Sequence, residues 1–266
     1  MCGIGGIMTS KSSFDSEQAE ACVRLMDSLT RRGKDAWGYF DGRDVYKRPG
    51  DFSTSEEKMT LAQTLLNSGT NMFLCHTRKA TQGDPANNEN NHPFTLNPFI
   101  FAHNGLIKEA DGFEEDSGIE TDSYWLLYWI HQEFKKSKKV IEAIDRGVDH
   151  IDGIYACWMY NALDGFTYLF RIGNPIMEIQ CATTEDQDLF VFGSDGDSIA
   201  DALGRKFLKQ SGWDKKITVK ALVPGIVYKA KDGGIWKAGQ FTPNAASGEA
   251  MGLFQYYFSN LMMYHQ

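Results

Sequence analysis

Met1-Cys2-Gly3-Ile4-Gly5-Gly6-Ile7-Met8 opens the chain. Removing the initiator Met leaves a cysteine with a free α-amino group, so one residue holds a nucleophile and a base. A terminal amine titrates near ~7.7–8 and a lysine amine near ~10.4. The terminal amine is therefore partly unprotonated at pH 7. It can take the thiol proton directly or through one water. Residues 3–8 are short, apolar and glycine-rich, which predicts a buried first strand whose backbone is closely approached by a neighbour. Cys2 would then stand at the edge of a core. By itself the stretch also fits a small residue after the start codon.

At 266 residues the chain has enough length for a full core. Its formal net charge of −8 is spread without long like-charge blocks. That argues against a nucleic-acid partner or an anionic membrane surface. The five cysteines form no CxxC pair and no ligand cluster with histidine, which reads as a reduced, cytoplasmic protein with no metal centre. There is neither a signal-peptide pattern nor an apolar run long enough to span a membrane.

Along the chain, Asp15 and Gln18 form a capping box for a helix over about 16–31, with Gly33 ending it. Thr54 and Glu57 cap a second helix through about Asn67. Strands are expected at Trp37–Tyr39, 71–76, 98–102, 154–160, 166–171, 188–193 and 226–230. Asp164-Gly165 and Lys231-Asp232-Gly233-Gly234 are hairpin turns. Thr121-Asp122-Ser123 opens a strongly apolar helix, a second helix covers about 138–149, and another runs from Asp197 to about 208. The segment Asp84 to Asn91, with Pro85 and four asparagines, is a long polar loop. Strands come in hairpins with helices in pairs between them, so the pattern predicts antiparallel sheets covered by helices, an α+β fold.

Three polar clusters sit at predicted strand or helix ends: Arg78 with Thr81, Asn104 with Gly105, and Asp122. Each alone has an ordinary explanation: a surface cation, a turn dipeptide, a carboxylate favoured by a helix dipole. Together they meet the needs of amide hydrolysis through an acyl-enzyme. The Asn104 side-chain amide and the Gly105 N–H can donate to an oxyanion. Arg78 can pair with the α-carboxylate of an amino-acid substrate, and Asp122 with its α-ammonium.

In Met1-Cys2-Gly3-Ile4, Arg32-Gly33-x-Asp35-x-x-Gly38, His76-Thr77-Arg78-x-Ala80-Thr81-x-Gly83, His92-Pro93, His103-Asn104-Gly105 and Glu120-Thr121-Asp122, the chain resembles the class II glutamine amidotransferases. These glutaminase domains belong to the N-terminal-nucleophile (Ntn) hydrolase superfamily. The match covers roughly residues 2–236, a class II amidotransferase domain, and leaves 237–266 as a C-terminal extension. The resemblance implies a four-layer αββα sandwich of two antiparallel sheets. It also implies roles. Cys2 attacks the glutamine side-chain amide and its α-amine shuttles the proton. Asn104 and Gly105 hold the oxyanion, and Arg78, Thr81 and Asp122 bind the amino-acid end. Arg32 props the Cys2 segment, and Gly83 supports the loop. No cofactor is implied.

Two positions depart from the pattern. Lys79 stands where many relatives carry an aromatic residue that helps gate ammonia, and Gln82 where they carry histidine. About thirty residues follow the resembling span, with no phosphate loop or nucleotide fingerprint among them. Three readings follow: a glutaminase feeding ammonia to a separate synthase subunit, a stand-alone amidase cleaving a γ-glutamyl amide, and a non-catalytic protein that kept the fold. In the first, the apolar, aromatic segment 251–264 is a candidate docking element; its alternative is packing on its own domain.

Overall fold

The expected first strand forms as β1 (Gly3–Thr9), and its alternation sets the layering of the molecule. The structure, a computed structural model, describes residues 1–111, 120–173, 178–184, 188–204 and 218–242. Ile4 and Met8 point into a core between two sheets. Ile7 points the other way, into a core under helices.

The first sheet runs in the order β11 (Thr218–Ala221), β9 (Gln180–Thr183), β10 (Leu189–Gly193), β1, β4 (Met72–Arg78), β2 (Ala36–Phe40) and β3 (Val45–Pro49). Its outer face packs on α1 (Ser16–Leu29), α2 (Glu56–Ser68) and α5 (Gly196–Leu203). The second sheet runs β13 (Gly234–Gln240), β12 (Ile226–Lys231), β8 (Phe166–Ile172), β7 (Ile151–Asn161), β6 (Phe99–Ala110) and β5 (Phe94–Leu96). Its outer face packs on α3 (Asp122–Ser137) and α4 (Val140–Gly147). Every strand pair is antiparallel. The result is four layers, αββα, as the resemblance implies.

The middle core joins Ile4, Phe40, Leu74, Trp158, Leu169, Phe190 and Phe192. Each fully buried large apolar side chain contributes about 1.5–3 kcal/mol, so this layer is the main glue between the sheets. Two polar contacts cross it. Trp158 Nε1 donates to Cys75 O at 3.1 Å, and His76 Nε2 lies 3.1 Å from His103 O. On its helix side β1 uses glycine for close approach. A Cβ on Gly3 would stand 3.1 Å from Leu29 Cβ, and one on Gly5 2.9 Å from Leu29 Cδ1.

Several local expectations hold. The Asp15–Gln18 capping box is complete. The hairpin turn at Asp164-Gly165 joins β7 to β8, and that at Asp232-Gly233 joins β12 to β13.

Others are corrected. Helix α1 stops at Leu29, and Thr30 caps it in a right-handed conformation. Gly33 lies beyond the end, where a Cβ would stand 2.3 Å from the Arg78 carbonyl carbon; it is small because β4 passes against it. The N-cap of α2 is Ser55, whose side chain accepts from Lys58 N, rather than Thr54. Helix α4 ends at Gly147 and a short 3-10 turn, Val148–His150, finishes the segment. Asn104-Gly105 is no turn: both residues lie inside the twelve-residue β6. Short strands β3, β5, β9 and β11 carry no clear periodicity, and the sequence pattern does not predict them. Strand β13 runs across the expected boundary at 236/237, and Phe241 is buried in the core under α3 and α4. Segment 251–264 lies outside the described residues, as does the continuation of α5 expected to about 208. Among the described residues no helix is long and apolar enough to cross a membrane.

The corrected cap makes a prediction. Ser55→Ala should lower unfolding free energy by about 1 kcal/mol, while Thr54→Ala should change it by less than about 0.5 kcal/mol. Urea titrations of both variants measure the difference, and a reversed order would return the cap to Thr54.

Candidate active site

Cys2 precedes β1 and is held from its backbone side. Arg32 Nε donates to Cys2 O at 2.9 Å, and Arg32 NH1 pairs with Asp195 Oδ2 at 3.4 Å. Asp195 is itself fixed as the N-cap of α5, accepting from Ser198 N at 2.8 Å. Ser194 brackets the next strand residue: Ile4 N donates to its hydroxyl at 2.9 Å, and its own N–H donates to Ile4 O at 3.0 Å. The segment carrying the thiol is thus clamped by Arg32 and by residues 194–195.

The thiol meets the turn that follows β4. Lys79 N–H donates to Cys2 Sγ at 3.4 Å, and Sγ lies 3.6 Å from Lys79 O. That turn is pinned by Asp35, which accepts from Ala80 N at 2.8 Å and pairs with Lys79 Nζ at 3.3 Å. Burial pushes the Cys2 thiol up, against the lowering effects of the Lys79 N–H, the terminal amine and Arg78; Asp122 pushes it further up. The terminal amine here is that of Met1. Burial lowers its pKa, Cys2 opposes, and Arg32 and Lys79 add to the lowering. The Cys2 thiol and the Met1 amine therefore shift in opposite directions, each toward its neutral form.

Arg78 ends β4 and is buried. Its NH1 donates to Asn91 Oδ1 at 2.8 Å, and its NH2 donates to Gln82 O and to Gly83 O. The four asparagines of the polar loop explain themselves here. Asn87 caps a 3-10 turn, Asn88 and Pro85 O receive the Asn91 amide, and Asn90 ties the loop to Glu120 at 3.0 Å in both directions. Gly83 takes φ +69°, and a Cβ on it would press on Asn90. Thr81 is exposed on the turn, and among the described residues its hydroxyl makes no hydrogen bond.

On the facing sheet, Asn104 is 1% exposed, and neither atom of its side-chain amide has a partner among the described residues. The inter-sheet contact of His76 with His103 O brings this stretch of β6 against β4, while β1 pairs β4 with Ile4 opposite His76. Gly105 lies opposite Tyr155 in the ladder with β7. Asp122 starts α3 and accepts from Ile107 N at 3.1 Å and from Ser123 Oγ at 3.2 Å. Cys2, Arg78 and Asp122 lie close enough for each to act on the charge of another. The structure thus gathers Cys2, Arg32, Arg78 and Asp122 around one place, with Asn104 and Gly105 on the facing strand. It leaves Thr81 on the rim. The residues that hold the site, Asn90, Asn91 and Ser123, were not singled out in the sequence; only the asparagine-rich composition of the loop pointed to two of them.

Behind the site lie three buried histidines. His76 and His92 rings are 4.1 Å apart, and His92 and His103 rings 5.8 Å. Burial holds all three pKa values below the ordinary range, with the mutual repulsion of the rings adding to the effect on His76 and His92. Among the described residues no group of three or more His, Cys, Asp or Glu is arranged to hold a metal ion.

A family model for class-II glutamine amidotransferases matches residues 7–178. The matched span holds Arg32, Asp35, Arg78, Thr81, Asn104, Gly105 and Asp122; Cys2 lies just before it and Asp195 after it. Glutamine–fructose-6-phosphate aminotransferase (isomerizing) of Photorhabdus laumondii is 24% identical over 263 residues, covering 89% of this chain and 41% of that protein. The Thermococcus kodakarensis protein of the same name is 28% identical over 169 residues, covering 59% and 26%. The chain therefore spans less than half the length of these curated relatives. Among solved structures, glutamine phosphoribosylpyrophosphate amidotransferase from B. subtilis superposes with a TM-score of 0.60 at 18% identity, covering 91% of this chain and 50% of that one. A glutamine aminotransferase class-II domain protein from Silicibacter pomeroyi gives 0.54 at 13% identity, covering 91% and 100%.

The histidine trio gives the fold a pH dependence with a definite sign. Each ring has a folded pKa below its unfolded value near ~6.5. Between those two values the unfolded chain binds more protons, so stability rises with pH there and is lost as pH falls below about 6.5. The urea midpoint should drop between pH 7 and pH 5, and His92→Gln should flatten that slope. An unchanged slope in His92→Gln would remove His92 as one of its sources.

Proposed function

The chain belongs to the class-II glutamine amidotransferases, with the N-terminal-nucleophile hydrolase fold, and from that premise we propose that it hydrolyses glutamine through a thioester on Cys2 and feeds the ammonia to a separate synthase. Once Met1 is removed, the Cys2 α-amine takes the thiol proton and Sγ attacks the side-chain amide carbon. The carbonyl oxygen becomes an oxyanion between the Asn104 amide and the Gly105 N–H. The ammonium returns its proton to the leaving nitrogen, ammonia departs, and the γ-glutamyl thioester remains. Water, deprotonated by the same amine, then attacks the thioester. A second oxyanion forms at the same donors, and glutamate leaves as the thiol recovers its proton. Arg78 holds the substrate α-carboxylate, and Asp122 its α-ammonium. Arg32 fixes the Cys2 carbonyl, and Gly83 and Thr81 shape the turn beside the substrate.

The observation that carries this reading is Asn104. A buried amide lacking hydrogen bonds costs about 1–3 kcal/mol, and here neither amide atom has a partner among the described residues. A developing oxyanion beside it would supply the missing bond.

A second reading, cleavage of a γ-glutamyl amide in a small metabolite, is favoured by one feature. Lys79 is exposed and paired with Asp35 beside the thiol. A charged, solvated mouth suits release into water better than a dry passage to a partner. Stimulation of glutamine hydrolysis by an added synthase supports the first reading; its absence with every candidate, alongside turnover of substituted γ-glutamyl amides, supports the second.

A diazoketone analogue of glutamine should alkylate Cys2 with loss of nitrogen, seen as a single adduct in intact-mass spectrometry on protein lacking Met1. Cys2→Ala, or an uncleavable N-terminal extension, should abolish both labelling and hydrolysis; retained activity in either rules out the N-terminal thiol mechanism. Asn104→Ala should lower kcat by about 10²–10³ with a smaller change in KM. A change confined to KM would make Asn104 a ground-state binder.

A further inference from the structure

Asp122 is held more elaborately than a carboxylate at a helix start requires. Its Oδ2 accepts from Ile107 N at 3.1 Å, at a bulge in the β6–β7 ladder. Its Oδ1 lies 3.2 Å from Ser123 Oγ, which is 2.8 Å from His103 Nδ1. A serine hydroxyl has one hydrogen. With that hydrogen on Asp122, His103 Nδ1 must carry the next one and donate to Ser123. His103 is therefore the Nδ1–H tautomer, and its Nε2 has no partner among the described residues. The backbone oxygen of the same histidine takes the contact from His76 Nε2 at 3.1 Å, two positions before Arg78 on β4. A continuous line, His76 to His103 to Ser123 to Asp122, thus runs from the strand of one substrate grip to the carboxylate of the other. His103 and Ser123 are buried, at 4% and 3% exposure.

We propose that Ser123 and His103 are positioning residues that aim the Asp122 carboxylate at the substrate's α-ammonium. The proposal rests on the reading of Asp122 given above. Both donors are neutral, so they orient the carboxylate without cancelling its charge. Two hydrogen bonds from different directions, one from backbone and one from Ser123, fix both side-chain torsions of Asp122. Loss of one leaves the carboxylate free to turn away while the thiol and oxyanion donors stay in place.

The test uses the whole chain in glutaminase assays, with glutaramate as a competing ligand. Glutaramate is glutamine without its α-amino group, so it makes no use of Asp122. Ser123→Ala should raise the KM for glutamine about fivefold to tenfold, leave kcat within about twofold, and leave the inhibition constant of glutaramate unchanged. His103→Asn keeps a donor where Nδ1 stands and should stay near wild type. His103→Gln moves the donor to the Nε2 position and should behave like Ser123→Ala. Equal losses for glutamine and glutaramate, or a wild-type KM in Ser123→Ala, would overturn the proposal. Asp122→Asn separates the two levels. If it raises the glutamine KM while Ser123→Ala does not, this relay alone is wrong. If it leaves the KM unchanged, the reading of Asp122 falls and the relay with it.

Discussion

His76 Nε2 reaches across the middle of the molecule to the backbone oxygen of His103, 3.1 Å away in the other sheet. Cys2 precedes a strand of the first sheet, and Asn104 follows His103 in the second. On the proposed reading these two act together as nucleophile and oxyanion donor, which requires the sheets to keep a fixed spacing. The apolar middle layer supplies the adhesion, but apolar contacts are non-directional. The His76 contact, with that of Trp158 to Cys75 O at 3.1 Å, adds direction. Histidine suits this place because burial keeps it neutral, so no charge is stranded between the sheets.

The elements most legible in the sequence are those whose cause is local. The Asp15–Gln18 box, the Asp-Gly turns and the short apolar, glycine-rich run of β1 each depend on residues a few positions apart. The misread ones depend on distant neighbours. Asn104-Gly105 has the composition of a turn because both residues tolerate left-handed backbone. In the structure Gly105 is extended, and it is small because the Ile154 and Tyr155 backbone lies against it; a Cβ would stand 2.2 Å from Ile154 O. Gly33 reads as a helix stop for the same reason, yet it answers to β4. Local propensity names the residue correctly and the reason wrongly.

The candidate site divides the same way. Cys2, Arg32, Arg78 and Asp122 were visible as an ordered set of motifs, and the fold brings them together. Asn90, Asn91 and Ser123 were not, because a polar side chain that hydrogen-bonds to a loop has no periodicity to announce it. Thr81 was named by its motif, but the structure leaves it exposed. What it would touch depends on a substrate, not on the protein.

The two charged grips are built on one electrostatic rule. Arg78 is surrounded by an amide oxygen and two carbonyls, and Asp122 by an amide N–H and a hydroxyl. Among the described residues neither forms a salt bridge, although pairs such as Lys79–Asp35 and Arg32–Asp195 stand nearby. Neutral dipoles lower the cost of burying an ion without cancelling its charge. A partner of opposite sign would cancel it, and a ligand would then have to break that pair to bind. The arrangement keeps a positive and a negative end available at once, within range of each other and of the thiol. A zwitterion with an amide on its side chain complements both ends, whereas a ligand of one sign satisfies one grip and leaves the other unpaired. On the proposed reading, the specificity for an amino acid lies as much in what the loop 82–91 and Ser123 withhold as in the charges they support.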